Sequence, residues 1–410
     1  MAFKMGATAY RRAGCSAGNL LPMRSILIVL DSLGIGAAPD ADQYGDRGAD
    51  TLGHVFAQCP KLALPALFSL GLGEVLAGNG CAEGLRASYG RMRAASPGKD
   101  STTGHWEMAG VILKQPFTVC EKLPPQLVEA IEADAKIEFL GKDGRTGDPA
   151  ELWTEHAATG RPMLYLPPGE SAIEIAAHEA LMPRPRLYEI SRAARRHADG
   201  HRIARVIARP LTGKPGAYTD ARGRHEYPAV PPRTVLNAIS DAGLVVEGIG
   251  KVPEIFARSG VTHGHAAKTN TEAMAEIERL WERTHDGLIF ANMGDFDRHA
   301  HARDVTKYAG ALAEFDGWLG DFLPKVARED LLIVTADHGN DPAFRGRDHT
   351  REEVPLLALY DGMTGSLGTR ETLADVAATL AEFFHLKERW PVGRAFAAAG
   401  GENSKRMNRR

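Results

Sequence analysis

The sequence is poor in the features that mark secreted, disulfide-bonded and membrane proteins. Its 410 residues include only four cysteines, which are Cys15, Cys59, Cys81 and Cys120. Because none of them belongs to a C-x-x-C pair, they predict reduced thiols in a cytoplasmic protein rather than a disulfide framework. No apolar run approaches the roughly 20 residues of a membrane span, and residues 1–24 lack the apolar segment of a signal peptide.

An excess of positive charge is missing as well. The formal net charge is -3, which argues against nucleic acid or an anionic membrane as a partner. Hydrophobic residues make up 44% of the chain and charged residues 25%, as in an ordinary globular protein. The length predicts about two domains and leaves the oligomeric state open, a monomer included.

Three apolar runs, residues 25–30, 287–293 and 330–334, are predicted to form buried strands. Predicted helices alternate with them, which indicates an α/β fold with a mostly parallel sheet whose carboxyl ends share one edge. Acidic and histidine side chains follow each run, and these are Asp31, Asp295, Asp297, His299, His301, Asp337, His338 and His349. The sequence therefore predicts a cluster of ligands at one edge of the sheet.

A dense stretch of proline and glycine between Arg209 and Pro232 indicates a stiff linker that closes an inserted domain. The predicted division is an N-terminal extension (1–24), a first core part (25–110), a smaller α/β cap insertion (111–232), a second core part (233–400) and a polar tail (401–410).

The predicted ligands are too many for one cation and about right for two. Paired metal ions suit an in-line phosphoryl displacement, and a set without cysteine favours Mn²⁺ or Zn²⁺. A second polar stretch, residues 96–107, contains Ser101 between glycines. The stretch is compatible both with a capped helix start, with a serine or threonine as the N-cap, and with a nucleophilic hydroxyl at a helix N-terminus, which also favours phosphate.

Four separated segments, 29–41, 98–107, 204–210 and 335–350, together resemble the phosphopentomutase family of the alkaline phosphatase superfamily. The resemblance extends in the same order from Ser25 to about Ala398. It implies an alkaline phosphatase-like core with an inserted cap. It also implies an isomerase that interconverts ribose or deoxyribose 1-phosphate with the 5-phosphate through a phosphoenzyme and a sugar bisphosphate.

The same resemblance implies two Mn²⁺ ions and a sugar bisphosphate activator. One ion would be held by Asp297, His301 and His349. The other would be held by Asp31, Asp337 and His338, with Ser101 between the two ions.

The sequence departs from the family pattern at three places. Ser101 stands where the family usually has threonine, a chemically equivalent hydroxyl. The spacing from Asp297 to His301 is one residue shorter than usual, so His299 is a second candidate ligand. Glu170 stands near the position of a sugar-contacting aspartate in the cap, which bears on the identity of the sugar.

Arg205, Arg209, Lys251 and Lys268 are candidates for phosphate binding because they lie near the inferred boundary between core and cap. Arginine can donate two parallel hydrogen bonds to phosphate, although each of the four is also compatible with an ordinary surface charge. A cleft that closes to exclude water would protect a phosphoenzyme from hydrolysis.

Three other functions use the same residues. A phosphatase or phosphodiesterase would need the same metals in a wetter site, and the large predicted cap argues against it. A phosphoglycerate mutase-like enzyme would share the metal set, but the segment 98–107 fits the pentose enzyme better. A metal-binding protein without activity would not need Ser101.

Overall fold

The computed structural model describes residues 23–77, 84–119, 121–142, 149–167, 171–214 and 217–396. Residues 1–22 of the predicted extension, the tail 401–410 and Glu170 lie outside the described residues. Of the four cysteines, Cys59 is described, and it is a free thiol.

The described residues form two sheets with helices around them. The strands are β1 (Arg24–Leu30), β2 (Ser88–Met92), β3 (Met163–Tyr165), β4 (Ala172–His178), β5 (Arg205–Lys214), β6 (Ala217–Asp220), β7 (His225–Pro228), β8 (Val245–Ile249), β9 (His263–His265), β10 (Gly287–Met293), β11 (Leu331–Thr335), β12 (Val354–Leu359) and β13 (Gly365–Arg370). The helices are α1 (Thr51–Gln58), α2 (Pro65–Ser69), α3 (Leu72–Ala77), α4 (Ser101–Met108), α5 (Pro125–Ala135), α6 (Trp153–Thr159), α7 (Arg184–Ala198), α8 (Val235–Asp241), α9 (Val252–Ile255), α10 (Asn270–Trp281), α11 (Asp295–His301), α12 (Val305–Phe322) and α13 (Asp375–Phe383).

The larger sheet has eight strands in the order β13-β2-β12-β11-β1-β10-β8-β9. Its central strands β11, β1 and β10 pair in parallel, and β12 runs antiparallel to both of its neighbours. These central strands are buried on both faces because they consist almost entirely of aliphatic and aromatic residues. The mostly parallel α/β core predicted from the sequence is confirmed, and the carboxyl ends of β11, β1 and β10 are neighbours.

The second sheet contains β3, β4, β5, β6 and β7, and we call it the cap sheet. One face packs on α5 and α7 through apolar residues such as Ile175, Val206 and Ile190. The segment expected to be a linker is instead largely strand, because β5 continues to Lys214 and pairs with both β6 and β7. Strand β7 also contacts α9, so the cap sheet lies against the core beside the end of β8.

Helices long and apolar enough to cross a membrane are absent from the part of the chain that the structure describes.

Candidate active site

The loops after β1 and β11 bring together the first group of predicted ligands. Nε2 of His338 lies 3.5 Å from Oδ1 of Asp31 and 3.3 Å from Oδ2 of Asp337. Asp31 Oδ1 and Asp337 Oδ2 are buried and have no hydrogen-bond partner among the described residues. Burial and the neighbouring carboxylate of Asp337 both raise the pKa of Asp31. Two buried carboxylates with unpaired oxygens beside one imidazole need a positive charge.

The second group lies at the end of β10. Oδ1 of Asp297 is 3.3 Å from Nε2 of His301 and 3.3 Å from Nε2 of His349, and these two nitrogens are 3.0 Å apart. Burial alone would raise the pKa of Asp297, but hydrogen bonding to His301 and His349 holds it well below its usual range. The three side chains direct their polar atoms at one point.

Main-chain carbonyl groups fix the tautomer of two of these histidines. Nδ1 of His338 lies 3.0 Å from the carbonyl oxygen of Gly339, and Nδ1 of His301 lies 2.8 Å from that of Arg347. A carbonyl only accepts hydrogen bonds, so Nδ1 carries the proton in both rings and Nε2 of a neutral ring presents a lone pair. Lone pairs beside carboxylate oxygens form the donor set of a divalent cation, and the residues present fit such an ion.

The geometry supports two overlapping three-residue sets within the described residues, Asp31 with Asp337 and His338, and Asp297 with His338 and His349. In each set the ligand atoms lie within 4.8 Å of one another. His338 belongs to both sets, so the two groups are adjacent parts of one centre.

The placement of His299 and His301 follows from a helix that the sequence did not predict after the third apolar run. Residues Asp295–His301 form α11, and this places Asp297 and His301 one turn apart on the same side. His299 lies two residues from each of them, and burial together with the neighbouring charge of Arg298 lowers its pKa. Asp295, also a member of the predicted pool, accepts a hydrogen bond from the main-chain N–H of Asn270 at 2.9 Å and pairs with Arg298.

Ser101 is the first residue of α4. The preceding Asp100 caps this helix, since its side chain accepts a hydrogen bond from the N–H of Thr103 at 3.0 Å. The hydroxyl of Ser101 is therefore free of the capping role that the sequence left open. Its Oγ lies 3.1 Å from Nε2 of His338, so the hydroxyl faces the ligand groups.

Lys251 lies inside the centre and not at the cap surface. Its Nζ is 2.7 Å from Oδ2 of Asp31 and 3.3 Å from Oδ2 of Asp297. Although burial opposes it, the attraction of these carboxylates raises the pKa of Lys251 and keeps the ammonium charged. Lys251 is the cation that links the two ligand groups.

The other described candidates for phosphate binding lie on the cap sheet and in the segment before α10. Arg205 and Arg209 lie on the face of the cap sheet opposite α5 and α7, where Arg205 pairs with Glu226 at 3.4 Å. Arg209 pairs with Asp220 and donates to the hydroxyl of Tyr165 at 2.6 Å. Lys268 is exposed just before α10. These contacts of Arg205 and Arg209 are to other residues of the cap sheet, and Glu170 lies outside the described residues.

Several side chains that support the centre were not identified from the sequence. Asn340 donates to Oδ1 of Asp297 at 3.0 Å, and Asn292 donates to Oδ2 of Asp31 at 3.0 Å. The buried carboxylate of Glu352 accepts from Thr51, Thr350 and the N–H of Gly36 and so joins three loops. A Cβ atom at Gly34 or Gly339 would clash with that carboxylate, so both positions require glycine. Asn340 lies in the same loop as Asp337 and His338, and this position could have indicated its role.

The comparisons with known proteins agree with a metal centre. The chain matches the model of the metalloenzyme superfamily over residues 23–388. A phosphopentomutase of Syntrophotalea carbinolica is 42% identical over 386 residues, which cover 91% of this chain and 97% of that protein. One of Symbiobacterium thermophilum is 42% identical over 385 residues, covering 91% and 98%. A solved structure from Vibrio parahaemolyticus, described as a protein in the alkaline phosphatase superfamily, has a TM-score of 0.45 and 11% identity over 93% of this chain and 71% of that one.

Proposed function

The chain belongs to the phosphopentomutase family within the metalloenzyme superfamily, and we propose that the centre around Asp31, Asp297 and His338 is where it transfers phosphate. It is a metal-dependent isomerase whose substrate is a phosphopentose. Its α/β core with a mostly parallel sheet is the fold class of the alkaline phosphatase superfamily. The proposal concerns the residues, the metal and the activator.

Ser101 is proposed as the nucleophile. The observation that carries this role is the 3.1 Å separation between its Oγ and Nε2 of His338, a member of both ligand sets. At the start of α4, the N–H groups of the first turn favour the negative charge of a phosphoryl group. Asp100 caps the helix and leaves the hydroxyl of Ser101 available.

Asp297, His301 and His349 are proposed to hold one divalent cation, and Asp31, Asp337 and His338 the other. Bound cations would stabilise the charge that develops on the attacking and leaving oxygens. A donor set of carboxylate and imidazole groups suits Mn²⁺, which we propose together with a sugar bisphosphate activator. The free thiol of Cys59 supports a cytoplasmic location.

In the proposed cycle, Ser101 starts as a phosphoserine. The free hydroxyl of the pentose monophosphate takes this phosphoryl group: its new O–P bond forms as the bond to Ser101 Oγ breaks, and its proton passes to Oγ. Ser101 Oγ then attacks the other phosphoryl group of the bisphosphate: the new O–P bond forms as the bond from that phosphorus to the sugar oxygen breaks, and the proton of Ser101 passes to the sugar oxygen. This regenerates the phosphoserine and releases the isomer. The cap sheet is proposed to cover the site, with Arg205 and Arg209 as contacts for the distal phosphate, and residues 111–232 as the inserted cap.

The experiment supplies Mn²⁺, ribose 1-phosphate and a trace of sugar bisphosphate, and measures ribose 5-phosphate and free phosphate together. Ribose 5-phosphate without matching free phosphate is expected, with a phosphopeptide that contains Ser101. Ser101→Ala should remove both the product and the phosphopeptide, whereas Thr102→Ala, which deletes the adjacent hydroxyl, should keep the phosphopeptide. Free phosphate as the main product would instead indicate a phosphatase on the same scaffold.

A further inference from the structure

His105 is a buried histidine that the proposed mechanism does not use. It lies on α4 one turn after Ser101, and none of its surface is exposed. The helix and the ligand loop are in direct contact here, since a Cβ at Gly104 would lie 2.4 Å from the carbonyl oxygen of Asp337. His105 therefore lies at the junction between the proposed nucleophile and the proposed ligands.

The hydrogen bonds of His105 define its tautomer. The side-chain amide nitrogen of Asn292 lies 3.0 Å from Oδ2 of Asp31, a carboxylate that can only accept, so this atom is the NH₂ group. The same nitrogen lies 3.2 Å from Nε2 of His105, which must then accept. Nδ1 of His105 consequently carries the proton and donates to the carbonyl oxygen of Ser101 at 2.8 Å.

These bonds form a continuous path from Asp31 through Asn292 and His105 to the main chain of Ser101. Oδ2 of Asp337 lies 3.2 Å from the same Nδ1 of His105, so both proposed ligand carboxylates border the path. The imidazole stacks on Phe290 with ring centroids 5.7 Å apart and an interplanar angle of 16°. Phe290 thus adds packing to a ring whose orientation is defined by its two hydrogen bonds.

We propose that His105 and Asn292 are a positioning pair that sets the place of the Ser101 hydroxyl relative to Asp31 and Asp337. This inference rests on the proposed role of Ser101 as nucleophile. In-line transfer requires the attacking oxygen to lie close to its target, and a misplacement of about 1 Å can cost roughly 100-fold in rate. The bond that reaches the nucleophile is Nδ1–H to the Ser101 carbonyl, and Asn292 keeps the proton on that nitrogen.

Two substitutions at His105 separate its two bonds. In His105→Asn the amide N–H takes the place of Nδ1–H and can still donate to Ser101. In His105→Gln the amide lies near the place of Nε2, so it can pair with Asn292 but does not reach the Ser101 carbonyl. We expect His105→Gln to lower kcat about 10–100-fold, the usual cost of losing a partner behind a metal ligand. His105→Asn should stay within about fivefold, and KM and the Mn²⁺ dissociation constant should change by less than about twofold in both.

A third variant controls for loss of packing. Phe290→Leu removes the aromatic stack and leaves both hydrogen bonds of His105 in place. It should lower the thermal unfolding temperature by at least as much as His105→Gln while kcat stays near that of the unaltered enzyme. An equal loss of kcat in Phe290→Leu and His105→Gln at similar destabilisation would overturn the proposal, because stability alone would explain both.

Two further outcomes also decide the inference. It is overturned if His105→Asn loses as much kcat as His105→Gln, or if His105→Gln keeps its kcat. It is supported if Asn292→Leu lowers kcat and the Asn292→Leu/His105→Gln double variant has about the same kcat as the less active of the two single variants. The Ser101 phosphopeptide of the unaltered enzyme is measured in parallel, so its absence would refute the proposed nucleophile separately from any result at His105.

Discussion

The core centre and the open face of the cap sheet are both rich in charge, but they balance it differently. In the core, the carboxylates of Asp31, Asp297 and Asp337 are almost fully buried, and the nearest ammonium is that of Lys251. On the cap sheet, three acids face three arginines in a continuous set of ion pairs, formed by Glu174, Asp220, Glu226, Arg205, Arg209 and Arg224.

The core centre therefore has excess negative charge and needs a bound cation, whereas the acids and arginines of the cap sheet neutralise one another. A buried, unbalanced set of carboxylates is costly unless a cation binds, so the core geometry points to metal. On the cap sheet, the proposed contact between Arg209 and a substrate phosphate would compete with the ion pair between Arg209 and Asp220.

Neutralising one core carboxylate should nearly abolish activity. Asp297→Asn removes the charge that His301 and His349 face and should lower kcat by more than about 100-fold, since even partners behind metal ligands cost up to that much. Asp220→Asn makes the same chemical change on the cap sheet and should retain most activity. Steady-state assays on both variants test the contrast, and similar losses in the two would refute it.

Removing the metal with a chelator should lower the free energy of unfolding of the protein. Adding back Mn²⁺ should raise the free energy of unfolding by about 2.7 kcal/mol per site at 100 times the dissociation constant. Thermal unfolding with increasing Mn²⁺ measures this gain, and Asp297→Asn should show a smaller one. A gain of the same size in the variant would mean that the ion binds elsewhere.

The carboxyl group of Glu352 is a buried core acid that belongs to neither of the two ligand sets. Burial raises its pKa from 4.5 to about 7, against the hydrogen bonds from Thr350 and Thr51 that lower it. The folded state therefore binds the proton more tightly, so its contribution to stability is full below about pH 4.5 and is lost as the pH rises to about 7.

Glu352→Gln should remove that dependence in the metal-free protein. Relative to the variant, the unaltered protein should lose on the order of 1–3 kcal/mol of unfolding free energy between these pH values. Urea unfolding of both proteins across this range measures the difference. If the unaltered protein instead gained unfolding free energy relative to Glu352→Gln as the pH rises, the raised pKa would be contradicted.

Releasing Arg209 on the cap sheet should have the smallest effect. Asp220→Ala frees the guanidinium for a substrate phosphate and should lower KM by about tenfold or less, equivalent to ~1.4 kcal/mol, with kcat unchanged. Asp134→Ala is the matched control, because Asp134 pairs with Arg196 on the helical side of the cap. A raised KM in Asp220→Ala would mean that Asp220 holds Arg209 in its binding orientation.

Local patterns in the sequence were sufficient to predict the central strands and the acidic residues that follow them. The aliphatic runs of β1, β10 and β11 predicted both the strands and the edge where Asp31, Asp297 and Asp337 meet. Helix α11 was missed because it follows a strand directly and begins after Gly294, without a side-chain cap. The four-residue spacing of Asp297 and His301 was the available signal.

Contacts between distant segments could not be predicted in this way. Asn292 and His105 are 187 residues apart, and Thr51 and Glu352 are 301 apart, so no local period relates them. In the cap sheet, prolines and glycines suggested a linker, whereas Gly223 lies in the connection between β6 and β7 at a φ of 98°. Turn residues within a sheet and residues of a linker have the same composition.

We propose that the core centre holds two divalent cations. The direct measurement is the metal content per chain after loading with Mn²⁺ and removal of free ion, in the unaltered protein and in Asp297→Asn. We expect two ions per chain in the unaltered protein and fewer in the variant. One ion or none in the unaltered protein, or an unchanged content in Asp297→Asn, would contradict it.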